Sequence, residues 1–419
     1  MNIGIVTTWF ERGAAYVSRQ YKQLLERDHS VFIFVRSGDY ATIDANWAQK
    51  NVTWSKGLPF VGMTAFDLGE FRTWLKNHSI DLVLFNEQHW WPPILLCNEL
   101  GIISGAYVDY YTEETVPLFG CYDFLICNTK RHYSVFDWHP QCLYLPWGTD
   151  INLFNPKSET NLADNIVTFF HSTGLSPIRK GTDLILEAFS ALSSPARLVI
   201  HSQGPLAERI PNQATLKKLI EDGRLTLNEQ TVTAPGLYHL GDVYVYPSRL
   251  EGIGLTIAEA LACGLPVITT DNPPMNEFVN HNLTGTLASV SRHIARSDGY
   301  YWPQSIVDLG SLIEQMTFYV EQADNLPTFK QQAREYAVHY LDWGKNYATL
   351  TSFMSRVKRL APEVKHSAIM HATEFEERRT TLPQRYPKAF LFMSRTYRLM
   401  KRLRAQTASR GITTPGTQA

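Results

Sequence analysis

The stretch "YPSRLEGIGLTIAEALACGLPVITT", residues 246–270, places two carboxylates, Glu251 and Glu259, eight positions apart around a glycine-rich elbow. An apolar run, "DVYVYPS", leads into it, and the pattern predicts a helix from near Thr256 to near Cys263. Gly264 suits the left-handed position after a last helical turn, and Pro266 prevents continuation. Thr256 followed three residues later by Glu259 fits a capping box, in which the glutamate reaches back to the N-cap amide. Glu251 has no such structural duty. It lies ahead of the helix, where Gly252 and Gly254 let a ligand approach the backbone closely. The first-turn amides lack acceptors inside the helix and face the same space, which makes an anion site.

Working outward, apolar strand patterns alternate with helical ones. "NIGIVTTWF", "SVFIFVRS", "IDLVLFNEQ", "IISGAYVDY" and "YDFLICNT" read as strands, and "YVSRQYKQLLERD" as an amphipathic helix. The alternation pauses at residues 145–165, rich in Pro, Gly, Asn and Asp. It resumes with strand "IVTFFHSTG", helix "GTDLILEAFSAL", strand "ARLVIHSQG", then the elbow and strand "PVITT". The expected class is α/β, with two doubly wound Rossmann-like domains and ligands beyond the carboxyl ends of the strands.

With 419 residues, 44% of them hydrophobic, the chain can bury a large core. The formal charge is −1, but ten of the 39 Lys and Arg residues lie between 378 and 410, in a stretch without Asp or Glu. The remaining 29 face 40 acids, so a mildly acidic body carries a basic tail. Nucleic acid is not an expected partner. Five cysteines without a C-x-x-C pair argue against a disulfide framework or a zinc site. The N-terminus "MNIGIVTTWFERG" has no basic region followed by a long apolar run, and no window is long enough to span a bilayer. A cytoplasmic chain, at most peripheral on the cytoplasmic face of a membrane, is expected.

The elbow resembles the E-x7-E signature of the retaining glycosyltransferases of the GT-B fold usually called family 4. "YPSRLEGIGLTIAEALACGLPVITTD" is similar to that family's donor-binding segment, "LPWGTDINLFNP" to its interdomain connection, "RKGTDLILEAF" to its phosphate loop and helix, and "HSQGPL" to its Gly-Pro turn. The resemblance runs in order over roughly residues 1–350. It implies two domains facing a central cleft: an acceptor-side domain over 1–150, a linker over 151–165, and a nucleotide-sugar domain over 166–345. A helix over 346–364 then crosses back to the first domain, and 365–419 forms a basic, partly amphipathic tail.

The resemblance also assigns roles. Glu251 contacts the donor sugar and Glu259 the ribose, a task that suits a carboxylate because it accepts hydrogen bonds from two neighbouring hydroxyls. Capping and ribose binding are compatible for Glu259 if different lone pairs serve each. The backbone of Gly252, Ile253, Gly254, Leu255 and Thr256 faces sugar and diphosphate. Lys180 and Arg179, after strand "HSTG", hold the leaving phosphates; the plain alternative for such a pair is a solvated basic turn. The family usually carries arginine directly after that glycine, where this chain has Leu175, and Arg179 reaching back is the expected substitute. Gly13, in "WFERGAAYVSRQ", lets the backbone approach the phosphates, or else marks an ordinary turn. Asp109 stands nearest to the position of a family histidine beside the reacting carbon. His89 and Trp90, after "DLVLFNEQ", read either as acceptor-side stacking groups or as packing. No D-x-D tripeptide occurs, so no metal and no cofactor are expected beyond the nucleotide-diphosphate sugar as co-substrate.

These residues imply transfer of a sugar to a glycan or lipid-linked acceptor, without a metal and by front-face attack. Two other readings stand beside it. One is a catalytically weakened nucleotide-sugar-binding protein, motivated by Leu175; the other is a GT-B sugar-nucleotide epimerase. In the tail, "YPKAFLFMSRTYRLMKRLRAQ" sets Phe392, Met393, Tyr397, Leu399, Met400 and Leu403 against basic residues. Residues 378–410 fit an anionic membrane surface; a helix docked on the protein itself or on a second subunit fits equally.

Overall fold

The computed structural model describes residues 1–36, 47–55, 64–157 and 166–379, together with 386, 389, 392, 393, 395 and 396. Strands β1 (Asn2–Thr7), β2 (Ser30–Val35), β3 (Val52–Trp54), β4 (Leu82–Asn86), β5 (Ile103–Tyr107), β6 (Phe124–Cys127) and β7 (Cys142–Tyr144) form one parallel sheet. Its order is β3-β2-β1-β4-β5-β6-β7. Strands β8 (Val167–Gly174), β9 (Ala196–Ser202), β10 (Leu225–Glu229), β11 (Val243–Tyr246), β12 (Val267–Thr270) and β13 (Gly285–Ala288) form a second, ordered β10-β9-β8-β11-β12-β13 and again parallel. Both are buried on both faces, which explains why strands such as β4 and β11 are continuous apolar runs rather than alternating ones.

In the first domain the helices are α1 (Gly13–Leu25), α2 (Leu68–Asn77), α3 (Pro92–Leu100) and α4 (Lys130–Phe136). In the second they are α5 (Thr182–Ser190), α6 (Gln213–Glu221), α7 (Leu255–Ala262), α8 (Leu309–Glu321) and α9 (Leu326–Tyr340). Strand order reverses between β1 and β4 in one sheet and between β8 and β11 in the other, and these are the places where a parallel sheet opens a crevice beyond its carboxyl ends. The loops after β1, β4, β5, β8 and β11 therefore face one another across a single cleft. The expected pair of doubly wound domains around a central cleft is what the chain forms.

The chain returns to the first domain beside Thr149, whose amide donates to the Leu341 carbonyl at 2.7 Å, while the Trp343 amide donates to Thr149 at 3.0 Å. Helix α10 (Asn346–Met354) then packs on α1. Helix α11 (Pro362–Arg379) corrects the expected start of the tail at 365. Its Ala368, Ala372 and Phe375 enter the first domain's core, and Lys365 Nζ pairs with Asp123 Oδ1 at 2.6 Å, with both side chains out of solvent. Small residues every fourth position let this helix lie close to its support, and the buried ion pair fixes its register. Arg378 pairs with Glu114 at 3.3 Å, and the Arg379 guanidinium lies 4.8 Å from the Phe375 ring centroid. The first two tail cations are thus engaged with the protein itself. Phe392 and Met393 are exposed, whereas Tyr397, Leu399, Met400 and Leu403 lie outside the described residues. Among the described residues no helix is long and apolar enough to cross a membrane.

The sequence reading named no strand at β3, β7, β10 or β13, and it also missed a hairpin. Strands β14 (Val290–Ile294) and β15 (Gln304–Val307) form an antiparallel hairpin whose loop reaches the other domain. There Tyr300 stacks on Tyr110, with ring centroids 5.0 Å apart, and the Tyr301 amide donates to the Tyr111 carbonyl at 2.9 Å.

Candidate active site

The cleft between the domains has a volume of about 850 Å³. Strand β11 ends at Tyr246, and the chain crosses Pro247–Gly254 before α7 begins at Leu255. Gly254 caps α7 at φ 94, a left-handed conformation that favours glycine. Thr256 is therefore the second residue of the helix, and no side chain caps its start. The capping-box reading of Glu259 fails for this reason. Its carboxylate instead accepts a hydrogen bond from the Tyr238 hydroxyl at 2.6 Å and lines the cleft.

Glu251 sits at the centre of a cationic cluster. Its Oε1 accepts from Lys180 Nζ at 2.7 Å, Arg179 Nη1 at 2.9 Å, the Tyr246 hydroxyl at 2.9 Å and the Ser248 hydroxyl at 2.5 Å. The loop after β8 reaches this point because Gly181, at φ 76, packs against Pro247: a β-carbon there would lie 2.3 Å from the Pro247 carbonyl oxygen. Arg249 secures the same loop through a bidentate pair with Asp183, at 2.8 and 2.6 Å, while its amide donates to the Arg179 carbonyl at 2.7 Å. Arg179 also donates to the Leu250 carbonyl at 2.7 Å, and Lys180 donates to the Tyr246 hydroxyl. Arg179 and Lys180 are therefore built into the site. The solvated-turn reading does not hold. Leu175, where the family pattern has arginine, is 66% exposed at the cleft edge.

The electrostatics follow from this packing. Burial raises the Glu251 carboxyl, but Arg179 and Lys180 outweigh it and hold the group down at about 2. Burial and repulsion from Arg179 bring Lys180 down to about 8 against the pull of Glu251. Glu259 is pushed up to about 7 by burial, with the Tyr238 hydroxyl and Lys180 offsetting part of the effect. Two carboxylates of one segment thus differ in charge near neutrality because only one has cations in contact.

The opposite wall comes from the first domain. Gly13 opens α1 and faces Leu255, and Gly252, Ile253 and Thr256 line the cleft with it. Asp109 lines the cleft just after β5; burial and neighbouring Glu87 push its carboxyl well up, with Arg36 pulling the other way. Glu87, missed in the sequence, follows β4 directly in a left-handed conformation at φ 51. The fully buried Arg36 donates to the carbonyls of Asn86, at 2.6 Å, and Glu87. His89 lies edge-on to Tyr110 at 4.8 Å between ring centroids, and Trp90 edge-on to Phe66 at 5.7 Å. Both are half-buried, and neither is among the residues lining the cleft. A position just after a strand was the available signal for Glu87; nothing local marked Tyr238, Tyr300 or Arg296, which reach the cleft through long loops.

Residues 154–299 match the family described as glycosyl transferases group 1. Over 169 residues the chain is 28% identical to a GDP-mannose-dependent alpha-(1-6)-phosphatidylinositol dimannoside mannosyltransferase of Mycobacterium tuberculosis, covering 38% of this chain and 43% of that protein. Over 146 residues it is 34% identical to a lipopolysaccharide core biosynthesis mannosyltransferase of Rhizobium meliloti, covering 32% and 41%. The chain thus spans less than half the length of these curated relatives. Among solved structures it is similar to Anabaena HepE in complex with UDP and glucose, with a TM-score of 0.64 and 16% identity over 85% of this chain and 99% of that one. It is equally similar to sucrose-phosphate synthase from Thermosynechococcus elongatus, at TM-score 0.64 and 16% identity, covering 85% and 98%. These likenesses show the GT-B fold.

Proposed function

We propose that the chain is a retaining glycosyltransferase that moves a sugar from a nucleotide-diphosphate sugar to a glycan or lipid-linked acceptor, without a metal. The observation that carries this reading is the placement of Glu251, held by Lys180 and Arg179, and of Glu259 in one cleft. In the proposed complex Glu259 accepts the two ribose hydroxyls, and Glu251 bonds hydroxyls of the donor sugar through Oε2, which none of its four present partners contacts. Arriving phosphates compete with Glu251 for the two cations. Lys180, Arg179 and the first amides of α7 then stabilise the charge that develops on the leaving group.

The acceptor hydroxyl approaches the anomeric carbon on the face from which the phosphate departs. The carbon–phosphate oxygen bond breaks, the new glycosidic bond forms, and the hydroxyl proton passes to the departing phosphate oxygen. Configuration is kept without a protein nucleophile. Asp109, raised toward its protonated form, orients the acceptor.

The two curated relatives are named as mannosyltransferases, one of them GDP-mannose-dependent, and the HepE complex holds UDP. GDP-mannose and UDP-glucose are therefore the first donors to test, against oligosaccharide and lipid-linked acceptors. Released nucleotide diphosphate that depends on the acceptor supports the reading. Exposed Leu175 favours one alternative, a binding protein with little turnover. Donor binding without acceptor-dependent release would establish that alternative. The proposed site of action is the cytoplasmic face of a membrane, reached through the basic residues after Arg379.

A further inference from the structure

The first turn of α4, in the acceptor-side domain, is held by the other domain at three points. The Glu277 carboxylate accepts the amides of Lys130 and Arg131 at 2.6 and 2.9 Å. The Arg131 guanidinium lies 4.6 Å from the centroid of the Trp302 ring. His132 Nε2 lies 2.8 Å from the carbonyl oxygen of Gly252, the residue that follows Glu251. On its other side His132 Nδ1 lies 2.8 Å from the Tyr111 hydroxyl, which is 2.6 Å from Trp302 Nε1.

The direction of this chain of hydrogen bonds is fixed by its ends. An indole N–H can only donate and a peptide carbonyl can only accept. Trp302 therefore donates to the Tyr111 oxygen, and Tyr111 donates to His132 Nδ1. His132 carries its proton on Nε2 and donates it to Gly252. The two ends belong to the donor-side domain and the two middle groups to the acceptor-side domain, so the chain exists only when the domains are together.

We infer that His132 is a positioning residue that couples domain closure to the placement of the Glu251–Gly254 loop. The inference rests on the donor-loop reading above. A neutral imidazole suits the task, because it accepts on one side and donates on the other through a rigid ring. His132 is fully buried, and that burial brings it down to about 4, so it stays neutral through the physiological range. Without it, the Gly252 carbonyl, next to Glu251, loses its cross-domain hydrogen-bond donor.

The test compares wild type with His132→Phe, which keeps the ring volume without nitrogens, and His132→Gln, whose amide replaces the Nε2 donor. Amide hydrogen exchange over residues 250–256 of the full chain without substrate should be about tenfold faster in His132→Phe, the loss expected for one hydrogen bond, and largely restored in His132→Gln. With an active donor, kcat should fall about tenfold in His132→Phe while donor KM stays within twofold. Tyr111→Phe, a milder change, should give an intermediate rise in exchange and serves if His132→Phe does not fold. Equal loop exchange in wild type and the folded variants, or a glutamine variant no better protected than phenylalanine, overturns the inference. The exchange is read without substrate, so a chain that transferred no sugar would still answer the question.

Discussion

Lys180 Nζ and Glu251 Oε1 lie 2.7 Å apart, so the cation proposed for the leaving phosphate is paired with the carboxylate proposed for the sugar. A donor must separate them, and Lys180 then turns to the phosphates. Replacing Lys180 with Met should slow transfer by about 10²- to 10³-fold, the size expected for loss of a positioned charge at a developing anion. Steady-state kinetics check this; a loss below tenfold removes Lys180 from the proposed chemistry.

Binding of an intact nucleotide sugar should peak between about pH 7 and 8. Below about 7 Glu259 takes up a proton and loses acceptor capacity for the ribose; above about 8 Lys180 loses its charge. Affinity should fall toward tenfold per unit on each side. In Glu259→Gln the acid limb should vanish while the alkaline limb stays. Calorimetry across pH reads both limbs, and an unchanged acid limb in the variant assigns that titration elsewhere.

Activity should persist in excess EDTA, since Lys180, Arg179 and backbone amides provide the charge compensation. Loss of turnover on chelation, restored by Mg²⁺ or Mn²⁺, would falsify this account of the leaving group.

The tail prediction changes with the structure. Truncation at residue 360 would remove α11 and strip Phe375 and Lys365 from the first domain's core, so the informative cut follows Arg379. That truncation should abolish co-sedimentation with anionic liposomes at low salt while leaving free-donor affinity intact, because eight of the ten tail cations lie beyond it. Full-length chain that ignores both lipid charge and salt argues for a tail docked on protein. Separately, Lys365→Met leaves Asp123 buried without its cation and should cost about 3 kcal/mol, seen as a lowered unfolding midpoint.

Much of this was legible in the residues. Strands such as β4, β6 and β11 announce themselves as buried runs, and loops directly following strands carry Glu251, Lys180, Gly13 and Asp109 into one cleft. What stayed hidden depends on contacts between distant segments. The Thr256–Glu259 spacing matched a cap, but the N-cap is Gly254, two residues earlier, and Glu259 bonds Tyr238 instead. Trp90 packs edge-on against Phe66, a contact between segments that sequence spacing does not show. The β14–β15 hairpin has short strands, the first of them largely exposed, with little apolar pattern, so its reach to Tyr110 and Tyr111 had no local signal.

The central claim is a division of labour between the two carboxylates of residues 246–270, and nucleotide affinity in two single variants measures it most directly. Calorimetric titration of the nucleoside diphosphate at pH 7.5 should show Glu259→Ala binding about 10- to 100-fold more weakly than wild type, the expected cost of losing charged hydrogen bonds to the ribose. Glu251→Ala should bind at least as tightly as wild type, because Arg179 and Lys180 no longer have to be drawn from a carboxylate, yet it should transfer no sugar. Equal affinities for wild type and Glu259→Ala, or a weakening confined to Glu251→Ala, would contradict the account.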